Sequence, residues 1–123
     1  MTTNKYPKPS TLIITLFSLL FLIGCQTAQR RKEAALKEDL YRMRTAIDQY
    51  SQGKSAAPQH LTDLVSAGYL RAIPIDPFTN STTTWVEVYE DATDSIDRTH
   101  PGMSDVHSGS IQVSSEGTRY DSW

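Results

Sequence analysis

Residues 33–53 read EAALKEDLYRMRTAIDQYSQG, and their apolar side chains recur at steps of four and three. This spacing places them on one face of an α-helix. The stripe consists of Leu36, Leu40, Met43, Ile47 and Tyr50, with Ala35 and Ala46 beside it. We therefore expect one long helix from Ala28 to about Gln52, with Gly53 as the residue that ends it.

The opposite face of this helix carries charge. Glu33 with Lys37 and Glu38 with Arg42 are i,i+4 pairs in the favourable orientation, and we expect both on the solvated side. The apolar stripe covers about two heptads, which is too short to argue for a coiled coil with a partner. Packing on the domain's own core is the preferred interpretation, and a seam for a partner helix is the alternative.

Shorter elements follow the helix. Residues 60–67 suit a short helix ended by Gly68, and the prolines of residues 73–78 forbid a helix there. Residues 83–90 are β-branched and aromatic, which is typical of a strand. Residues 91–108 are polar and rich in turn-forming residues, which predicts a long loop.

Two short strands are expected near the C-terminal end of the sequence. They cover residues 111–114 and 118–120, with a tight turn at Glu116-Gly117 between them. Helices first and strands last are typical of an α+β domain. The predicted fold is therefore a long N-terminal helix packed on a small antiparallel sheet of about three strands.

The first 25 residues have the pattern of a bacterial lipoprotein precursor. Lys5 and Lys8 precede an apolar run from Leu12 to Ile23, which is shorter than the roughly 20 residues that span a bilayer. The run ends in Leu-Ile-Gly-Cys, which is typical of a lipobox. We expect residues 1–24 to be a signal peptide and Cys25 to become the lipid-bearing first residue of a domain covering residues 25–123. An uncleaved N-terminal anchor is the alternative.

Charge and cysteine content narrow the possible functions. The chain has 123 residues, one cysteine and a net charge of −2. Loss of Lys5 and Lys8 with the leader would leave ten basic and fourteen acidic residues, a poor balance for contacts with nucleic-acid phosphates. A lone cysteine forms no intramolecular disulfide. Gln26 is not the aspartate that retains lipoproteins in the inner membrane, which favours the periplasmic face of the outer membrane.

Three stretches resemble the type II secretion pseudopilins, in particular the major or G-type, and the related type IV pilin headgroups. They are residues 39–50 (DLYRMRTAIDQY), residues 61–80 with the turn Pro-Ile-Asp-Pro-Phe-Thr-Asn, and residues 105–123 ending in Ser-Trp. The resemblance covers roughly residues 38–123. It implies a pilin-like headgroup built on a long helix and working with a secretion or pilus-like apparatus.

The N-terminal segment, up to Gln29, departs from that family. A pseudopilin keeps its apolar helix after the processing site and has Glu five residues beyond the cut. Here the apolar run precedes the expected cut, and the fifth residue is Gln29. The resemblance therefore implies a lipoprotein variant, in which a lipid replaces the membrane helix.

Candidate site residues are few. The resemblance implies calcium near the C-terminal loops, and oxygen ligands are available there. The candidates are Asp91, Asp94, Asp97, Asp105, Glu116 and Asp121. Their alternative is an acidic loop surface. The spacing of His100, Asp105 and His107 fits no common zinc pattern. An exposed aromatic contact surface is expected from Trp85, Tyr89 and Trp123, with packing across the sheet as the alternative.

No pattern typical of an enzyme is present. The sequence contains no Gly-x-Ser-x-Gly elbow and no phosphate-binding glycine loop. The first functional hypothesis is a lipid-anchored structural or interaction protein of a type II secretion or type IV pilus-like system. The second is a free-standing periplasmic lipoprotein that binds a metal ion or a small ligand in its acidic loops.

Overall fold

The computed structural model describes residues 9–95 and 99–123, and it has an α+β fold. Helix α1 spans Pro9–Lys54 and helix α2 spans Leu61–Ser66. Strands β1, Val86–Tyr89, and β2, Met103–His107, form a two-stranded antiparallel sheet. A 3-10 helix, Tyr120–Ser122, follows.

Helix α1 is longer than the sequence predicts, because it starts at Pro9 and runs without interruption through Gly24 and Cys25. No proline interrupts the helix between Pro9 and Lys54. Each internal glycine costs a helix only about 1 kcal/mol, so neither Gly24 nor Gly53 ends it.

The end of α1 also differs from the prediction. The left-handed residue after the helix is Ser55 (φ 53°), not Gly53. Gly53 has a packing role instead, because a Cβ there would lie 2.3 Å from the Tyr69 hydroxyl oxygen. The predicted stop of α2 is confirmed. Gly68 (φ +82°) donates to the main-chain oxygen of Val65, and Tyr69 N donates to that of Leu64.

The predicted helix stripe forms the core of the headgroup, the part of the chain from Gln29 to Trp123. Its side chains pack against buried residues of the sheet and the C-terminal segment. The core contains Leu36, Leu40, Met43, Ala46, Ile47, Leu61, Leu64, Trp85, Met103, Val106 and Tyr120. The interpretation of the stripe as a core face is thus confirmed for this structure.

The sheet is smaller than expected, and one of its strands lies in a region predicted to be a loop. Val86 pairs with His107 and Tyr89 with Met103, with a bulge beside Tyr89. β2 was missed because its sequence, Met-Ser-Asp-Val-His, is polar apart from two residues. Those two, Met103 and Val106, are fully buried.

The two predicted C-terminal strands are wrong as strands. Only one bridge forms, between Val113 and Arg119, and Tyr120 belongs to the 3-10 helix. The predicted turn is present, with Gly117 at φ +86° and its N–H donating to the main-chain oxygen of Ser114. The Ser114 hydroxyl accepts from turn amides, so side-chain bonds replace a ladder.

A buried aspartate organises the turn at residues 74–80. Asp76 is fully buried, and its Oδ1 accepts from the main-chain amides of Phe78 (2.8 Å) and Thr79 (3.3 Å). Its Oδ2 accepts from the hydroxyl of Ser108 at 2.6 Å. Asn80 takes a left-handed conformation (φ 56°) to close the turn. The turn is thereby fixed to the chain that follows β2.

Candidate interaction surface and anchor

Trp85 is not part of an exposed aromatic surface. It is only 7% exposed, and its indole Nε1 donates to the main-chain oxygen of Pro74 at 2.8 Å. The packing alternative therefore applies to Trp85, because it closes the core between β1 and the Asp76 turn. Trp85 still lines part of a surface groove beside Tyr89.

Trp123 also acts largely in packing. Its ring meets Tyr120 edge-to-face at 5.1 Å, and its Nε1 donates to Thr118 Oγ1 at 2.8 Å. The ammonium of Lys37 lies 4.5 Å from the ring centroid. The main-chain oxygen of Trp123 accepts from Arg44. These contacts hold the last residues against α1. Because Trp85 is also packed in the core, Trp85, Tyr89 and Trp123 do not form one exposed surface.

Tyr89 is the predicted aromatic that remains exposed, at 45%. Its hydroxyl lies 2.7 Å from Glu87 Oε2 and 2.9 Å from the main-chain oxygen of Gln59. His60 Nδ1 lies 3.1 Å from the same Glu87 oxygen, while Glu87 Oε1 accepts from Leu61 N at 2.8 Å. Glu87 thus satisfies the first amide of α2 and joins that helix to β1.

The hydrogen bonds of this cluster favour the ionised form of the Glu87 carboxyl group. Burial acts to raise the pKa of Glu87, but hydrogen bonds from Leu61, Tyr89 and His60 outweigh it, so the pKa is lowered. The hydrogen bond to Glu87, followed by burial, raises the pKa of Tyr89 to about 12. Tyr89 therefore stays a neutral donor throughout the physiological range.

Beside this cluster runs a groove of about 480 Å³, which we call the Tyr89 groove. Its lining combines an aromatic pair with hydroxyl groups and one carboxylate. The lining includes Thr62, Ile73, Thr82, Trp85, Glu87 and Tyr89. Aromatic residues set among adaptable polar groups are common in protein interfaces. The groove is shallow and open, which suits a protein segment better than an enclosed small molecule.

Three of the predicted calcium ligands are occupied by cations of the chain. Asp105 Oδ1 accepts from Arg44 Nε at 2.6 Å, and Glu116 lies 3.2 Å from Lys37 Nζ. Asp121 pairs with the neighbouring Arg119. Burial acts to raise the pKa of Asp105, but hydrogen bonds from Arg44 and from its neighbour's amide outweigh it, and the pKa is lowered.

The remaining predicted ligands lie elsewhere. Asp91 and Asp94 share a turn in which Asp94 N donates to the main-chain oxygen of Asp91 at 2.9 Å. Asp97 lies outside the described residues. Within residues 9–95 and 99–123, no three His, Cys, Asp or Glu side chains converge as metal ligands do. Calcium binding stays a prediction that this geometry does not support.

A buried carboxylate on α1 was missed by the sequence analysis. Glu33 is 6% exposed and does not pair with Lys37. Its Oε1 accepts from Ser115 N (2.6 Å) and from the Tyr120 hydroxyl (2.8 Å), and its Oε2 accepts from the Ser115 hydroxyl (2.6 Å). Gln29 donates to the same carboxylate at 3.2 Å. We call this set the Glu33 cluster.

The Glu33 cluster joins α1 to residues more than 80 positions away. Burial acts to raise the pKa of Glu33, but hydrogen bonds from Ser115, Tyr120 and Gln29 outweigh it, so the pKa is lowered. The only sequence signal was a glutamate three positions before Leu36, the first residue of the apolar stripe. Lys37, four residues later, favoured a solvated ion pair with Glu33 as the simpler prediction.

The N-terminal part of α1 is apolar and lies outside the headgroup. The described side chains between Leu12 and Phe21 are all exposed. By length and composition, α1 is the one described helix with a stretch able to cross a membrane, and a signal sequence near the N-terminus meets the same test. Both forms of anchor predicted from the sequence remain compatible with this helix.

Comparison with known proteins adds no relative. No protein-family model matches the chain, and neither a curated protein nor a solved structure matches it significantly.

Proposed function

We propose that this chain is a membrane-anchored structural and interaction protein with a pseudopilin-like headgroup, acting with a type II secretion or type IV pilus-like apparatus. The observation that carries the proposal is the division of α1. Its exposed apolar part leads to Cys25, while one face of its second part, from Glu33 to Ile47, is covered by the small sheet and the C-terminal segment. Such a helix joins an anchor directly to a packed headgroup.

The residues on which the resemblance rests have linked roles in this headgroup. Asp76 of the Pro-Ile-Asp-Pro turn binds Ser108, and Phe78 of the same turn stacks on Tyr120 with ring centroids 3.8 Å apart. Trp123 packs on that tyrosine in turn. The three similar stretches therefore meet around one core, which supports treating them as one structural unit.

In this proposal Cys25 carries the anchor. Removal of residues 1–24 and acylation of Cys25 would leave α1 starting close to the lipid, and the headgroup would begin at Gln29, one helical turn later. Several acyl chains would hold such a domain stably, where one chain holds it only marginally. The domain would lie on the periplasmic side of the membrane, and no catalytic step is assigned to it.

Intact mass and membrane fractionation test the anchor. Wild type and Cys25→Ala are expressed in a bacterium that processes lipoproteins, with Ser104→Ala, an exposed change on β2, as the matched control. We expect wild type and control to start at Cys25 with added acyl mass, and Cys25→Ala to lose cleavage and lipid. Retention of residues 1–24 in the wild type would favour the helical anchor instead.

Site-specific cross-linking tests the partner. A photoreactive residue at Thr82, exposed in the Tyr89 groove, should capture a pilin-like subunit or a membrane component of the secretion apparatus in the native host. The same probe at Ser66, exposed on α2 outside the groove, should capture it much less. Loss of secretion or of surface fibres on deleting the gene, restored by wild type, is the expected functional result. Normal secretion and fibres without the gene would refute the assignment.

A further inference from the structure

One end of the headgroup is held beside the anchor. Gln29 lies four residues after Cys25, which is about 6 Å along a helix. Its amide nitrogen contacts the main-chain oxygen of Val113 (3.4 Å) and the hydroxyl of Tyr120 (3.1 Å). The Glu33 cluster fixes the following Ser115 to the next turn of α1. The turn at residues 113–119 is therefore the part of the headgroup nearest to the membrane.

Positive charge is concentrated at the same end. Arg30, Arg31 and Lys32 are consecutive and exposed, and they lie about 7–10 Å along the helix from Cys25. Successive helical residues are about 100° apart, so these cations cover a broad arc of α1. No ion pair involves them within the described part of the chain. The basic run stands in a domain that is otherwise acidic.

Exposed apolar side chains lie in the chain segment that contacts Gln29. Ile111 is 72% exposed and Val113 is 56% exposed, whereas most large apolar residues of the headgroup are buried or half-buried. Val113 is adjacent to Gln29 through its main-chain oxygen. Together these residues form what we call the membrane-facing end, composed of Arg30, Arg31, Lys32, Ile111 and Val113.

We propose that the membrane-facing end rests on an anionic phospholipid surface and is a second point of membrane attachment. The inference depends on the proposed anchor near Cys25, whether lipid or helix, because both bring this end to the headgroups. The polar layer of a bilayer is about 5–8 Å thick on each side, so the three cations reach its phosphates. The distance is comparable to the Debye length of about 8 Å at physiological salt, so screening of this attraction is incomplete.

Attachment at two points would fix the orientation of the headgroup. Each basic residue near an anionic surface strengthens attraction about fivefold, and three together exceed a hundredfold if they act independently. Ile111 and Val113 would insert between headgroups in the manner of other interfacial apolar residues. A headgroup held in this way cannot rotate freely about its anchor, so the Tyr89 groove would face a defined direction.

Hydrogen exchange of the full chain in lipid nanodiscs tests the inference. The chain is reconstituted in phosphatidylcholine alone or in phosphatidylcholine containing phosphatidylglycerol. We expect amides of residues 111–117 to exchange several-fold more slowly in the anionic bilayer, and this difference to disappear in high salt. Exchange in residues 36–47 of α1 should not change, because those residues lie in the core.

Two charge variants complete the test. The triple variant Arg30→Gln/Arg31→Gln/Lys32→Gln should lose the lipid-dependent difference. The control Arg42→Gln/Lys54→Gln/Arg71→Gln removes the same charge from exposed positions farther along the chain and should retain it. Equal exchange in both bilayers, or an unaffected triple variant, would overturn the inference while leaving the anchor intact. Failure of the chain to stay in nanodiscs would overturn the anchor and this inference with it.

Discussion

Replacement of Glu33 by alanine should destabilise the headgroup strongly, although the sequence suggests an ordinary surface position. Two of its hydrogen bonds come from the C-terminal segment: a buried one from the Tyr120 hydroxyl and a partly buried one from Ser115 N. Hydrogen bonds to a charged group contribute about 1.5–3 kcal/mol each, and Tyr120 is fully buried, so its hydroxyl loses its acceptor. Counting these two bonds at the lower value gives a loss of about 3 kcal/mol.

Tryptophan fluorescence offers a direct assay, because the chain's two tryptophans, Trp85 and Trp123, both lie in the headgroup. The full chain is unfolded by heat in detergent. A loss of about 3 kcal/mol corresponds to a midpoint lowered by roughly 12–24 °C for a domain of this size. The matched control is Glu38→Ala, which breaks a 3.0 Å pair with Arg42 in which both side chains are more than half exposed. That pair should contribute less than about 0.5 kcal/mol.

Acid provides a second readout of the same carboxylate. The folded pKa of Glu33 is below its ordinary value of 4.5, so its stabilisation is complete above that pH and is lost as pH falls through the folded pKa. The difference between wild type and Glu33→Gln should therefore be largest near neutral pH and shrink below pH 4.5. The reasoning is refuted if Glu33→Ala costs no more than Glu38→Ala, or if the Glu33→Gln difference does not depend on pH.

Three further predictions concern the turn, the groove and a close approach. Asp76→Ala should lower the free energy of unfolding measured in urea by about 3 kcal/mol, because it leaves the Phe78 amide and the Ser108 hydroxyl without their acceptor. An unchanged free energy of unfolding would contradict this role of Asp76. Tyr89 should ionise near pH 12 in ultraviolet titration, and Glu87→Gln should lower that pKa; an unchanged titration would refute the contact. Gly109→Ala should cost at least about 2 kcal/mol, because its Cβ would lie 2.1 Å from Thr84 O; an unchanged midpoint would exclude that approach.

Local patterns predicted the parts of this fold that depend on nearby residues. The apolar stripe of α1 became the core face, and Gly68 and Gly117 adopted the positive φ values that their turns require. Periodicity and glycine placement are properties of a short window, so a single sequence is enough to identify them. The same holds for the α+β class, which follows from the order of elements.

Contacts between distant residues could not be predicted in this way. Strand β2 has a polar sequence whose Asp105 is neutralised by Arg44, 61 residues earlier. Glu33 is buried only because Ser115 and Tyr120 bring donors to it. Burial of a charged group carries a desolvation free energy that hydrogen bonds from partner groups must offset. Because these partners lie far away in the sequence, no local pattern predicts which charged residue will be buried. Among the described calcium candidates, three are paired with the chain's own cations for the same reason, because Arg44, Lys37 and Arg119 reach them only in the folded chain.

The Glu33 cluster has a mechanical consequence for a membrane-anchored headgroup. Between Cys25 and Glu33, Gln29 is the described residue of α1 whose side chain hydrogen-bonds to the C-terminal segment, at 3.4 and 3.1 Å. Glu33 makes the first short hydrogen bond between this segment and the part of α1 that leads to the anchor, at 2.6 Å. The stripe from Leu36 onward would keep the core folded if these hydrogen bonds were lost. Glu33→Gln should therefore loosen the turn at residues 113–119 before it unfolds the domain. Hydrogen exchange that accelerates by a larger factor in that turn than in residues 36–47 would mark this local release, because sub-global opening has a lower free energy than global unfolding. Uniform acceleration across both segments would instead show that the cluster stabilises the domain as a whole.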